Sequence, residues 1–223
     1  TSLSALGSLS TAATDNITIT VNDADTTAVN ATDLSALGNK TAGTVTVSNA
    51  VAITGNHDQV TAALVTSGSK VEVGAATVTI NDADGTAITA AELSSIGGET
   101  TGTVTVTNAV AISGTPTEVK AALVTTASKV EVTAATVTLS DDPDLTELGQ
   151  LNAATTGAIK INTQSKTYSG SAADLAAALA GTVTNNAGAA LSGAMTVSDN
   201  TGTAVTATDL STIGGATTGT VTV

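Results

Sequence analysis

Apolar and polar residues alternate in short bursts along this chain. Val45/Val47, Val71/Val73, Val104/Val106, Val130/Val132, Ile159/Ile161 and Val221/Val223 share one parity, with Thr, Lys or Glu between them. That is the pattern of a strand with one buried face. A second set comprises Ile17/Ile19/Val21, Val51/Ile53, Val78/Ile80, Val110/Ile112, Val137/Leu139 and Met195/Val197. Elsewhere the apolar spacing changes to three or four: Leu34/Leu37, Leu93/Ile96, Val119/Leu123, Leu175/Leu179 and Leu210/Ile213. Those stretches predict short helices that bury a single stripe. Their starts are marked by a side-chain acceptor with a carboxylate or amide three residues on. The pairs are Asn30/Asp33, Asn56/Gln59, Thr89/Glu92, Thr115/Glu118, Ser171/Asp174 and Thr206/Asp209. Such pairs satisfy backbone donors that a helix cannot bond internally. Pro116 falls at a first helical position, and Gly38, Gly97 and Gly214 are expected to supply left-handed stops.

The elements repeat. Asn22-Asp23-Ala24-Asp25 returns as Asn81-Asp82-Ala83-Asp84, Asn49–Ile53 as Asn108–Ile112, and Lys70–Val73 as Lys129–Val132. The offset in residue number is the same for all three. Each unit divides into two related halves averaging about 30 residues, each a short helix and two short strands. A fixed period implies a stacked array. The expected fold is therefore an α/β repeat, an αβ-solenoid whose equivalent strands stack in parallel, about 4.8 Å apart. The whole chain, 1–223, reads as one array: 1–27 partial, 28–86, 87–144, a degenerate 145–203, and 204–223 partial. In the degenerate unit the register shortens by four residues between Asp141 and Ile159, and Lys166-Thr167-Tyr168 replaces a Val-rich strand. Because both ends fall inside repeat units, the sequence reads as a window from something longer.

Composition narrows the core and the partners. With no Cys, Phe, Trp or Arg, one Tyr and one Met among 223 residues, the interior must be thin layers of Val, Ile, Leu and Ala. Six Lys against 19 acidic residues leave a net charge of −13. That sign opposes nucleic acid, whose phosphates need clustered cations, and no apolar run is long enough for membrane insertion. Nucleophile–base and zinc constellations fail for want of Cys and a second His. His57 starts a helix and its counterpart one unit later is Pro116, which argues against a catalytic role. No enzyme activity is expected.

Ala31-Thr32-Asp33-Leu34, Ala91-Glu92-Leu93 and Thr101-Gly102-Thr103-Val104-Thr105-Val106 resemble the β-strand-repeat, adhesin-like arrays of very large bacterial surface proteins, common in cyanobacteria. The resemblance covers almost the whole chain. It implies export to the cell surface or matrix and a structural role as spacer, stalk, adhesin or lattice-forming segment, and it carries over no catalytic residue.

Two features are candidates for chemistry. Acidic residues gather at one point in the period, directly after the second strand: Asp23 and Asp25, Asp82 and Asp84, Asp141 and Asp142, and Asp199. Paired carboxylates beside a turn suit calcium, which takes several oxygens. Equally, an Asp-rich turn accepts its own backbone N–H groups. The second feature is the recurring Thr-x-Thr of the strands, which would present a hydroxyl face to a glycan or to ice. The expected rows are interrupted, with Lys70/Glu72 and Lys129/Glu131 between Thr rungs on the outer face. Self-association through open solenoid ends is the expected partnership, and Tyr168 is expected to fill a gap in the core.

Overall fold

A computed structural model describes residues 1–223. In chain order the elements are α1 (Leu3–Leu6), β1 (Ile19–Val21), β2 (Ala28–Asn30), α2 (Ala31–Gly38), β3 (Val45–Val47), β4 (Ala52–Gly55), α3 (His57–Val60), β5 (Val71–Val73), β6 (Thr77–Ile80), β7 (Ala87–Thr89), α4 (Ala90–Gly98), β8 (Val104–Val106), β9 (Ala111–Gly114) and α5 (Pro116–Leu123). There follow β10 (Val130–Val132), β11 (Thr136–Leu139), α6 (Leu145–Ala154), β12 (Ile159–Ile161), β13 (Tyr168–Gly170), α7 (Ala172–Leu179), β14 (Val183–Asn185), β15 (Met195–Val197), α8 (Ala207–Ala216) and β16 (Val221–Thr222). The protein is α/β with parallel sheets. It partitions into two compact units. The first holds Thr1–Ala83, Ala91–Asn108 and Thr125–Glu131; the second holds Asp84–Ala90, Ala109–Val124 and Val132–Val223.

In the first unit β1-β3-β5 form one sheet and β10-β8-β6-β4-β2 a second. Ile19 lies opposite Val45, and Val45 opposite Val71. Val29, Ile53, Val78 and Val104 form a buried row across the second sheet. Leu34, Leu37, Leu93 and Ile96 of α2 and α4 are buried as well, none more than 1 % exposed, and α2 packs on β2, β4 and β5. Burying such a side chain contributes about 1.5–3 kcal/mol, which these two-turn helices need because they would not survive alone.

In the second unit β14-β12-β11-β9-β7 form one sheet and β13-β15-β16 another. Ile88, Ile112, Val137, Ile159 and Val183 make the corresponding row. Leu148 and Leu151 of α6 and Leu175 and Leu179 of α7 supply its helical core. Tyr168 fills interior space there, opposite Met195 and 4 % exposed.

The pairing step is shorter than the halves read from the sequence. Ile19 pairs with Val45, Val78 with Val104 and Val29 with Ile53, each step less than half the repeat. The step from Val137 to Ile159 is shorter again, and there the degenerate unit loses its four residues. Two such steps therefore fall short of one repeat. The remainder is an extra strand set directly before a helix, β2 and β7, which the helix-strand-strand reading lacks. In consequence, residues one full repeat apart occupy different sheets. Val45 and Val104, both in the first unit, belong to separate sheets, as do Ile19 and Val78.

Several local expectations are corrected. Gly38, Gly97 and Gly214 lie inside their helices, and the left-handed glycines are Gly85, Gly181, Gly188 and Gly202. Gly38 and Gly97 are required for room instead: a Cβ there would overlap the carbonyls of Ser69 and Ser128. Asn30 makes no side-chain cap to backbone; its amide donates to Asp33 Oδ2 (3.2 Å). Full capping boxes stand at Asn56/Gln59, Thr115/Glu118 and the unanticipated Asp144/Glu147. Ile17 precedes β1 and is 40 % exposed. Lys70 and Lys129 adopt left-handed backbone (φ 58°) before β5 and β10, rather than extending those strands. That twist aims their carbonyls at the Val45 and Val104 N–H groups (2.8 and 2.9 Å).

Candidate functional site

The Asp turns lie at the ends of β1, β6, β11 and β15, where the chain leaves a strand and needs acceptors for nearby N–H groups. After β1, Asp23 Oδ2 accepts the N–H of Leu3, the first residue of α1 (2.7 Å). Asp25 Oδ1 accepts the N–H of Ala50 in the next segment (2.9 Å). Asn49 closes the bracket by donating its amide to the Asp23 carbonyl (2.6 Å), while Thr26 N–H donates to the Ala50 carbonyl (2.8 Å). One carboxylate thus reaches back along the sequence and the other forward.

The same bonds recur one repeat later. Asp82 Oδ2 accepts the N–H of His57, first in α3 (2.7 Å), and the Asp82 carbonyl accepts from the Asn108 amide (2.6 Å). Asp84 Oδ1 accepts Ala109 N–H (2.8 Å), and Gly85 N–H donates to the Ala109 carbonyl (2.9 Å). Asp82 is only 6 % exposed. Its second oxygen takes the His57 Nδ1–H (2.8 Å), while Asp58 stands 3.4 Å from Nε2. The recurring Asn-Asp-Ala-Asp and Asn-Ala-Val-Ala-Ile motifs are therefore two faces of one clamp.

The later turns vary with the donor available. Asp199 Oδ2 accepts the N–H of Ala172, first in α7 (2.7 Å), and Asp142 Oδ1 accepts Thr163 N–H (2.7 Å). Asp141 matches Asp82 in sequence, but the residue matching His57 is Pro116, which has no N–H to give. Asp141 is exposed and takes only the Ser140 hydroxyl (3.3 Å). The structure does not gather the seven aspartates: no three His, Cys, Asp or Glu side chains converge in a metal-holding group. Each turn instead secures backbone from another part of its unit.

A second staple has no counterpart in the sequence reading. Thr41, Thr100, Thr155 and Thr217 are buried threonines, each followed two residues on by glycine. The Thr155 hydroxyl donates to the Ala135 carbonyl (2.7 Å) and accepts Gly157 N–H (3.0 Å). Thr41 does the same with Ile17 and Gly43, Thr100 with Ala76 and Gly102, and Thr217 with Gly193 and Gly219. The glycines bring backbone against those carbonyls where a Cβ would collide. The recurring Thr-x-Gly was the available signal, masked because threonine is frequent everywhere in this chain.

The outward Thr rows are less interrupted than expected. Thr54, Thr79 and Thr105 are successive partners, with Asn30 beside Thr54. Glu72 falls at a sheet edge opposite Thr46, and Lys160 stands between Thr138 and Thr184. The expectation of a charge on alternate rungs placed residues one repeat apart in a single row; the shorter pairing step separates them. A cleft of about 520 Å³ in the first unit is lined by Leu3, Asp23, Asn30, Asp33 and Lys40, among others. The Lys40 ammonium donates to the Gly7 and Leu9 carbonyls (2.9 and 2.8 Å). No family model, curated protein or solved structure matches the chain.

Proposed function

We propose that this chain is a solenoid segment of an exported surface protein, with a structural role as spacer, stalk, adhesin segment or lattice-forming element. The observation that carries the reading is the recurrence of the clamp. Asp25 to Ala50, Asp82 to His57 and Asp84 to Ala109 each join groups 25 residues apart in the chain. Polar side chains that elsewhere would line an active site are engaged here in holding backbone. Stacked turns of this kind resist extension and bending, because each is hydrogen-bonded to the next along a parallel ladder. Export agrees with the resemblance to adhesin-like repeats. Calcium is not needed to hold most of the turns, since every turn aspartate but Asp141 already accepts a backbone N–H. Small-angle scattering tests the solenoid: an elongated particle is expected, and a near-spherical one would sink the reading.

A second reading is favoured by the unbroken Thr54–Thr79–Thr105 row. A flat rank of hydroxyls on a rigid sheet suits glycan hydroxyls or ordered water. Glycan-array binding or thermal hysteresis abolished by Thr79→Lys would support it; neither signal in the unaltered protein would remove it.

A further inference from the structure

His57 is the single histidine of the chain, and both of its ring nitrogens face carboxylates. Nδ1–H donates to Asp82 Oδ1 (2.8 Å), and the backbone N–H of the same residue donates to Asp82 Oδ2 (2.7 Å). A carboxylate can only accept, so the ring proton sits on Nδ1 and the neutral imidazole turns its Nε2 lone pair the other way. There Nε2 lies 3.4 Å from Asp58 Oδ1. One acceptor thus faces another. The Asp82 side chain is 5 % exposed, that of His57 13 % and that of Asp58 82 %. The pair is anchored at a buried base and opens at the surface.

The separation suits a metal ion better than a hydrogen bond. N–H···O bonds run about 2.7–3.2 Å, so 3.4 Å is long for one. Zinc bonds of about 2.0–2.2 Å at the tetrahedral angle hold two donors about 3.4 Å apart. The inner contact, a carboxylate on the far ring N–H, is the one that fixes the tautomer of a metal-bound imidazole and raises its basicity. A net charge of −13 also draws cations toward such a surface. The next repeat carries Pro116 and Thr117 at the matching positions, so the chain offers this pair once.

We propose that His57 Nε2 and Asp58 Oδ1 chelate one divalent transition-metal ion of the zinc, cobalt, nickel and copper class, with Asp82 as the outer carboxylate. Imidazole suits these ions, whereas calcium and magnesium take all-oxygen sites. The chelate is therefore a different kind of site from a calcium turn. Two protein donors are fewer than a structural zinc site provides and leave positions for water, so the ion exchanges and does not build the fold. When bound, it ties the start of α3 to the turn after β6 through the imidazole, and it stabilises the folded state by mass action. The site goes beyond the structural-segment reading and does not depend on it.

The test titrates zinc into the unaltered chain and follows the one imidazole by NMR. One equivalent is expected to bind and to shift the ring C–H resonances, while the Nδ1–H resonance persists because Asp82 keeps that proton. Excess calcium should not displace the ion. His57→Gln should lose the bound equivalent. Asp58→Asn, at an exposed position that leaves the fold intact, should fail to saturate at zinc concentrations that fill the unaltered chain. If His57→Gln does not fold by circular dichroism, His57→Pro takes its place, since the next repeat carries proline there. No binding, an equivalent retained without His57, undiminished binding by Asp58→Asn, or loss of the Nδ1–H resonance on loading would overturn the site.

Discussion

Thr26 and Gly85 occupy the same place in two copies of the Asp turn, and both have left-handed backbone, φ 63° and 77°. A β-branched residue is disfavoured there and glycine is not. Thr26→Gly is therefore expected to raise stability by up to about 1 kcal/mol, read from urea unfolding; a loss would show that the Thr26 side chain makes a compensating contact. Asp82 is the converse case. Asp82→Ala leaves the His57 N–H and imidazole without their buried acceptor and is expected to cost about 2–3 kcal/mol. Added calcium should leave the melting temperature of the unaltered protein unchanged, since every turn aspartate but Asp141 already holds a backbone N–H on one oxygen; a marked rise would place metal in the turns. Tyr168 sets an alkaline limit. Burial, then the negative charges of Asp142 and Asp144, push its hydroxyl well above the ordinary value of 10.0. Folding therefore holds the hydroxyl neutral while the unfolded chain ionises: the destabilisation begins above pH 10 and deepens until the folded hydroxyl also ionises. Tyr168→Phe should remove this component of the alkaline destabilisation. The single tyrosine makes ultraviolet absorbance of the phenolate an unambiguous reporter.

Helices that look alike in sequence differ in what their glycines do. Ile96-Gly97-Gly98 of α4 and Ile213-Gly214-Gly215 of α8 match, yet a Cβ on Gly97 would overlap Ser128 backbone while one on Gly214 meets nothing within 4 Å. Gly97→Ala is expected to destabilise by about 3 kcal/mol, and Gly214→Ala to stabilise by about 0.5–1 kcal/mol. Equal effects in thermal melts would refute the close approach. The contrast also marks how far the sequence could be read. Valine alternation revealed the strand faces, and Thr115/Glu118 or Asn56/Gln59 fixed helix starts, because those signals are local. Partner choice is not local. Nothing near Val45 and Val104 says that these identical strands join different sheets. That follows from a pairing step, shorter than half the repeat, that no residue type marks. The Asp turns recur visibly in the sequence, but a carboxylate that reaches the next segment and one that waits for calcium have the same sequence. The buried Thr-x-Gly staples stayed hidden for a related reason: one threonine in such a chain looks like any other.

The whole molecule inherits a rule from this mismatch between step and repeat. Removing one full repeat should preserve every class of contact, whereas removing one half should not. If residues 28–86 are deleted, Thr27 joins Ala87, the residue that matches Ala28. β1 then takes the place of β6, and Ile19 meets Val104 as Val78 does now. Asp25 finds Ala109 N–H, the present partner of Asp84, and Asp23 keeps Leu3. Deletion of 28–57 instead joins Thr27 to Asp58 and sets a helix where β2 and its sheet neighbours require a strand, so the rows of buried valine lose continuity. The full-repeat deletion is expected to stay folded and cooperative, with a denaturant slope reduced in proportion to the buried surface removed. The half-repeat deletion should unfold or aggregate. On the proposed stacking, stability is close to a sum of unit and neighbour-interface contributions, so the shorter chain should be less stable but not differently built. Two equally folded deletion products would show that the half, and not the full repeat, is the interchangeable piece.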